Sequence, residues 1–153
     1  MNVTIAPLPP AFLDRVRNQG LDDLGQPVRR LIAEGGEPCR DVLRRARPGE
    51  ELLLASFSPF TRVGPYREYG PVFVLASPSD EEVARDAFPA TDYFRQQFVL
   101  RAYSEDERIV DAAMVTRDAA GETLSGFLGQ EDVAFVHARF PLYGCFALRV
   151  EKR

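Results

Sequence analysis

Val133-Ala134-Phe135-Val136-His137-Ala138-Arg139 is followed, after Phe140-Pro141-Leu142-Tyr143-Gly144, by Cys145-Phe146-Ala147-Leu148-Arg149-Val150-Glu151. Under the period of two that a β-strand imposes, the even positions Ala134, Val136, Ala138, Phe146, Leu148 and Val150 are all apolar. The odd positions carry His137, Arg139, Cys145 and Arg149. This alternation predicts a hairpin with one face on the core. Pairing Arg139 with Cys145 and His137 with Ala147 keeps the apolar and polar sets apart, whereas a one-residue slip mixes them. In that register the only histidine of the chain and one of its two cysteines become neighbours around an arginine.

Working outward, Phe98 to Tyr103 and Arg108 to Thr116 read as a second hairpin around the acidic turn Ser104-Glu105-Asp106-Glu107. Glu122 to Leu128 between the hairpins reads as a helix. Ser79-Asp80-Glu81-Glu82 has capping-box spacing, so a helix through Ala87 is expected. Glu51 to Phe57 and Val72 to Ser77 are uninterrupted apolar runs suited to central strands. At the N-terminal end, Val3 to Ala6 reads as a strand. Pro10 opens a helix through Asn18 with Phe12, Leu13 and Val16 inward. Pro27 opens another with Val28, Leu31 and Ile32 inward. The spacing of Cys39, Val42, Leu43 and Ala46 gives a third helical stripe, with Arg40, Arg44, Arg45 and Arg47 pointing outward. The expected class is α+β: a largely antiparallel sheet built from successive hairpins, with helices packed on one side and an N-terminal helical segment, in a single domain over residues 1–153.

A net charge of -4 argues against nucleic acid and anionic membranes as partners, since both attract a basic excess. The basic residues are almost all arginine, Lys152 being the sole lysine, and interleaved acids make the Arg29 to Arg47 region a solvated face. Two distant cysteines, with no apolar leader or spanning run, predict a cytoplasmic protein with reduced thiols. There is no phosphate loop, nucleophile elbow or paired cysteine motif, and one histidine is too few for a His-rich metal site. No cofactor and no metal are therefore expected.

Three constellations remain. A neutral His137 beside Cys145 could take the thiol proton, and Arg139 would favour the thiolate, which is a nucleophile's environment. The plainer alternative is a hydrogen-bonded histidine on a sheet face beside a cysteine acting as a small apolar residue. The loop Ser58 to Gly70, with Phe60, Tyr66, Arg67 and Tyr69, is long and aromatic for a strand connection, and suits a pocket wall or a loop packed on its own rings. Arg101, set in a strand, needs an anion, with an internal acid such as Asp111 favoured over a ligand.

The chain also resembles a bacterial family known as domain of unknown function 1203. Gly35-Gly36-Glu37-Pro38-Cys39-Arg40, Ser58-Pro59-Phe60, Gly64-Pro65-Tyr66, Leu100-Arg101-Ala102-Tyr103, His137-Ala138-Arg139 and Tyr143-Gly144-Cys145-Phe146 carry the resemblance. It implies a shared fold and a shared pocket, with no reaction attached.

The function expected from these readings is binding of a small molecule or anion by Arg101, Arg139, Tyr66, Tyr69 and Arg67 around His137. The alternatives are a thiol-dependent enzyme with Cys145 as nucleophile and His137 as base, and a protein interaction module using the aromatic loop.

Overall fold

The structure is a computed structural model and describes residues 2–90 and 92–153. Its strands are β1 (Val3–Ala6), β2 (Arg29–Ile32), β3 (Pro38–Cys39), β4 (Arg44–Arg45), β5 (Glu51–Phe57), β6 (Gly70–Leu75), β7 (Gln97–Tyr103), β8 (Ile109–Thr116), β9 (Phe135–Arg139) and β10 (Phe146–Lys152). Helix α1 (Pro10–Asp14) runs on as a widened turn over Arg15–Gln19, and α2 is Ala120–Leu128. The molecule is mostly sheet, α+β in the broad sense. None of its described helices is long and apolar enough to cross a membrane.

The strands form two five-stranded sheets, not one. The first has the order β1-β10-β9-β7-β8 and is antiparallel throughout. The second has the order β2-β5-β6-β3-β4 and is antiparallel except where β3 runs parallel to β6. On one face of the first sheet Leu100, Ala102, Val136, Ala138, Leu148 and Val150 pack against Leu124, Phe127 and Leu128 of α2. On the second sheet Leu53, Ala55, Phe57, Val72 and Val74 pack against Phe12 and Val16 of the N-terminal helix. Each helix covers its own sheet, so the expected single sheet with all helices on one side is corrected.

The second sheet grows from two segments whose spacing predicted helices. Arg29–Ile32 pairs with β5, Leu31 lying opposite Leu52, and so fills the edge of a strand whose backbone groups need partners. Cys39 pairs with Phe73, and the Arg40 amide donates to the Phe73 carbonyl at 2.9 Å. Leu43 then turns the chain with a φ of 52°, outside the right-handed helical region, so the stripe of Cys39, Val42 and Ala46 lines a turn. No helix forms from Ser79 to Ala87. Ser79 bonds the amide and carboxylate of Glu81, and that carboxylate is gripped by Arg44 from a distant strand, so the capping box is never closed by Glu82.

In the closing hairpin Arg139 lies opposite Phe146 and His137 opposite Arg149, with a bulge between Phe146 and Leu148. This corrects the register read from the sequence. One extra residue on the bulged strand turns Phe146 away from the α2 face, and its ring joins the cluster around Phe57 and Phe12. Gly144 makes the preceding turn at a φ of 73°, a conformation glycine adopts without a Cβ penalty.

Candidate ligand-binding site

On the face of the first sheet turned away from α2, β7, β9 and β10 set three basic residues in a cross-strand row, Arg101 opposite His137 and His137 opposite Arg149. Directly opposed residues of antiparallel strands share a face, so the row is a property of the register. His137 at its centre is 0% exposed, and neither ring nitrogen has a hydrogen-bond partner. Four rings enclose it: Tyr103 at 4.8 Å, Phe135 and Phe146 at 5.0 Å, and Phe60 at 5.2 Å between centroids. Burial, then the charges of Arg149 and Arg101, hold the imidazole well below its ordinary pKa, so it is neutral. A neutral imidazole carries one donor and one acceptor, and leaving such a group unsatisfied costs about 1–3 kcal/mol.

Phe60 comes from the loop between β5 and β6, which is fastened to the body at both ends. At one end buried Glu107 accepts from the Thr61 amide at 3.0 Å, the Thr61 hydroxyl at 3.1 Å and the Arg62 amide at 2.5 Å. Glu107 reaches them from a left-handed turn with φ 64°. At the other end Glu68 pairs with Arg139. Between these points residues 61–66 are exposed.

Beside the loop lies a cavity of about 400 Å³, within the range of small-molecule sites. Its walls are largely apolar and include Phe57, Phe60, Phe135 and Phe146, while Arg40 and Arg149, and the carboxylate residues Glu105, Glu107 and Glu151, also line it. Arg40 is 4% exposed. Its Nε donates to the Phe146 carbonyl at 2.8 Å and its Nη1 to the Pro38 carbonyl at 2.7 Å, and the guanidinium lies 5.1 Å from the centroid of Phe140. Among the described residues no carboxylate pairs with it. Burial pulls its pKa down, and only the Tyr93 phenol and the Cys145 and Cys39 thiols pull the other way. Arg149 stacks 3.7 Å over the Phe135 ring and bonds Glu151 at 2.6 Å on its own strand.

A smaller cavity of about 160 Å³ lies across the Phe57, Pro59 and Phe146 wall, lined also by Glu68, Arg139 and Cys145. Arg139 is 3% exposed, donates to the Gly144 carbonyl at 3.0 Å, and has its Nε without a partner. Cys145 is partly buried and packs on the α2-side core, its thiol 3.7 Å from the Tyr143 carbonyl. The expected residues thus fall into two groups. Arg139 and Cys145 share the smaller cavity, and His137 stands apart with Arg101 and Arg149. No hydrogen bond joins imidazole and thiol.

Tyr66 and Tyr69 are 39% and 41% exposed, and Arg67 lies 5.5 Å over the Tyr69 ring, so these three form the outer surface of the loop. Arg101 does not pair with Asp111, whose carboxylate instead takes bonds from the Ala112 amide and the Gln130 side chain. It lies beside Tyr103 two residues along, where its charge opposes the upward push of burial on the phenol. Two residues escaped the sequence reading. The spacing puts Arg40 on an outward helical face, whereas pairing with Phe73 on β6 brings it inside; Glu107 is one acid among three in what the sequence offers as a solvent turn. Neither position carries a local signal that would have singled it out.

No curated protein and no solved structure matches the chain. The family described as protein of unknown function (DUF1203) matches over residues 36–152, a span that holds Arg40, the loop and the whole basic row, and the chain belongs to that family.

Proposed function

We propose that the protein binds a small amphipathic anion in the 400 Å³ cavity, its apolar body against Phe57, Phe60, Phe135 and Phe146 and its anionic group at Arg40. The observation that carries this reading is Arg40 itself. A guanidinium taken out of water without a carboxylate costs several kcal/mol, and two carbonyls and a ring offset only part of that. A ligand carboxylate or phosphate would complete the site through charge-assisted hydrogen bonds of about 1.5–3 kcal/mol each. Arg149, on the same wall, would supply a second donor. The reading keeps the protein in a reducing cytoplasm with both thiols free. The thiol-enzyme alternative has less support, because a nucleophile needs a base within hydrogen-bond reach and the imidazole bonds no thiol.

The test is calorimetric binding of hydrocinnamate and its neutral amide to wild type, Arg149→Gln and Arg40→Gln. Wild type should prefer the acid, and each substitution should weaken acid binding by roughly 10- to 100-fold, the equivalent of one charge-assisted bond. Equal affinity for acid and amide refutes the reading.

A further inference from the structure

We propose that the row Arg101–His137–Arg149, now covered by Phe60, is a second oxyanion subsite of the same cavity, reached when the loop between β5 and β6 lifts. The inference rests on the reading of that cavity as a ligand site and adds to it a place for a second phosphate or carboxylate group.

Three observations converge on the row. Its central imidazole is fully buried with both nitrogens unpartnered, although buried polar groups are nearly always satisfied, and each exception calls for an explanation. Arg101, on one side, has no carboxylate partner among the described residues and lies beside the Tyr103 side chain. Arg149, on the other side, already lines the cavity, and its carboxylate partner Glu151 is a neighbour on the same strand, partly exposed to water. The row therefore offers two guanidinium forks and one ring N–H on a single sheet face, a donor set suited to an oxyanion.

The cover is built to move as a unit. Phe60 touches the imidazole and Tyr103, and the loop carrying it has no regular structure. At its root the Ser58 amide donates to Asp23 at 2.8 Å, and beyond Phe60 its polar contacts with the body, among the described residues, are the Glu107 carboxylate at Thr61 and Arg62 and the Glu68 pair with Arg139. The two fastenings beyond Phe60 are carboxylates. Neutralising Glu107 weakens its grip on two backbone amides without touching the row, which makes Glu107→Gln a release variant.

The experiment uses the fact that His137 is the only histidine. Its reaction with diethyl pyrocarbonate, read by mass spectrometry on its own peptide, reports cover. Its imidazole nitrogen signals by NMR report the anion, with inorganic phosphate and acetate as separate arms. Wild-type His137 should react at least about tenfold more slowly than N-acetylhistidine, as expected for a site reached only through local opening. Glu107→Gln should react several-fold faster than wild type, and phosphate or acetate should slow it again. The wild-type imidazole signals should move saturably with whichever anion fits.

Reaction of the wild type at the free rate, or an unchanged rate in Glu107→Gln, overturns the cover. Imidazole signals that neither anion moves overturn the subsite, and this arm needs no variant should Glu107→Gln fail to fold. Hydrocinnamate binding that depends on Arg40 while both anions leave His137 untouched defeats the subsite alone. Loss of hydrocinnamate binding defeats the reading beneath it.

Discussion

Replacing His137 by leucine should make the protein more stable, and most so in mild acid. At about pH 7.5 the imidazole is neutral, enclosed by four rings, and leaves a buried N–H and a lone pair unused. Removing them recovers about 1–3 kcal/mol, and repacking a leucine among the rings costs less than about 1.5 kcal/mol, so the net gain is about 1 kcal/mol. The sign of the pH dependence follows from burial. The unfolded chain binds a proton near pH 6.5 and the folded chain resists it, because burial and the flanking Arg149 and Arg101 disfavour the imidazolium. Below pH 6.5 the unfolded state therefore holds more protons, and the wild type loses stability by about 1.4 kcal/mol per pH unit as long as the folded site stays neutral. The gap between leucine variant and wild type should widen by about 1.4 kcal/mol between pH 7.5 and 5.5. Urea unfolding followed by far-ultraviolet circular dichroism, in buffers free of phosphate, measures it. Taking the difference between the two proteins cancels the carboxylates they share. Parallel stability–pH curves, or a leucine variant weaker by more than about 2 kcal/mol at pH 7.5, would refute the picture of an unsatisfied neutral imidazole.

Native protein treated with iodoacetamide should take one adduct, on Cys145, because Cys39 is 0% exposed and burial pushes its thiol up to about 12; two adducts should appear only after unfolding. Arg44→Ala should lower stability by about 2 kcal/mol in urea unfolding, since Arg44 grips Glu50 at 2.8 and 2.9 Å and Glu81 at 2.7 and 3.1 Å. That deficit should be full above pH 4.5 and shrink in acid titrations towards pH 2, because Arg44 first of all holds Glu50 down to about 2 and protonation removes the partner. Arg95→Gly should be neutral or stabilising by up to about 1 kcal/mol in thermal melts, since exposed Arg95 sits at a φ of 58° that glycine adopts freely.

The alternation of Val133 to Glu151 was enough to place the closing hairpin and to predict that His137 and Arg139 share a face, because a strand buried on one side leaves a period-two record. The bulge at Phe146 to Leu148 left no such record. An inserted residue is visible only in how the partner strand pairs, so the register that joined Cys145 to His137 could not be corrected from composition. The same holds for Arg29–Ile32, where a three-and-four spacing suits a helix or an edge strand, and the open flank of β5 decides between them. Cys39 to Ala46 had a helical stripe in sequence, yet Leu43 in the left-handed region breaks it. Pairing with Phe73 on β6 takes Arg40 off an outward helical position and sets it on the cavity wall. What pattern could show was which residues are apolar and how they alternate. What it could not show was which strand edges remain to be filled, and the charged residue that matters most depends on that.

In the proposed complex, buried Arg40 takes the anionic group of a ligand whose body is apolar. The most direct measurement is the anomalous signal of bromine in crystals soaked with para-bromohydrocinnamate. Bromine should lie between Phe57, Phe60 and Phe135, with the ligand carboxylate within hydrogen-bond distance of the Arg40 guanidinium. Bromine seated elsewhere on the molecule, or in the cavity with the carboxylate turned to solvent, would contradict it.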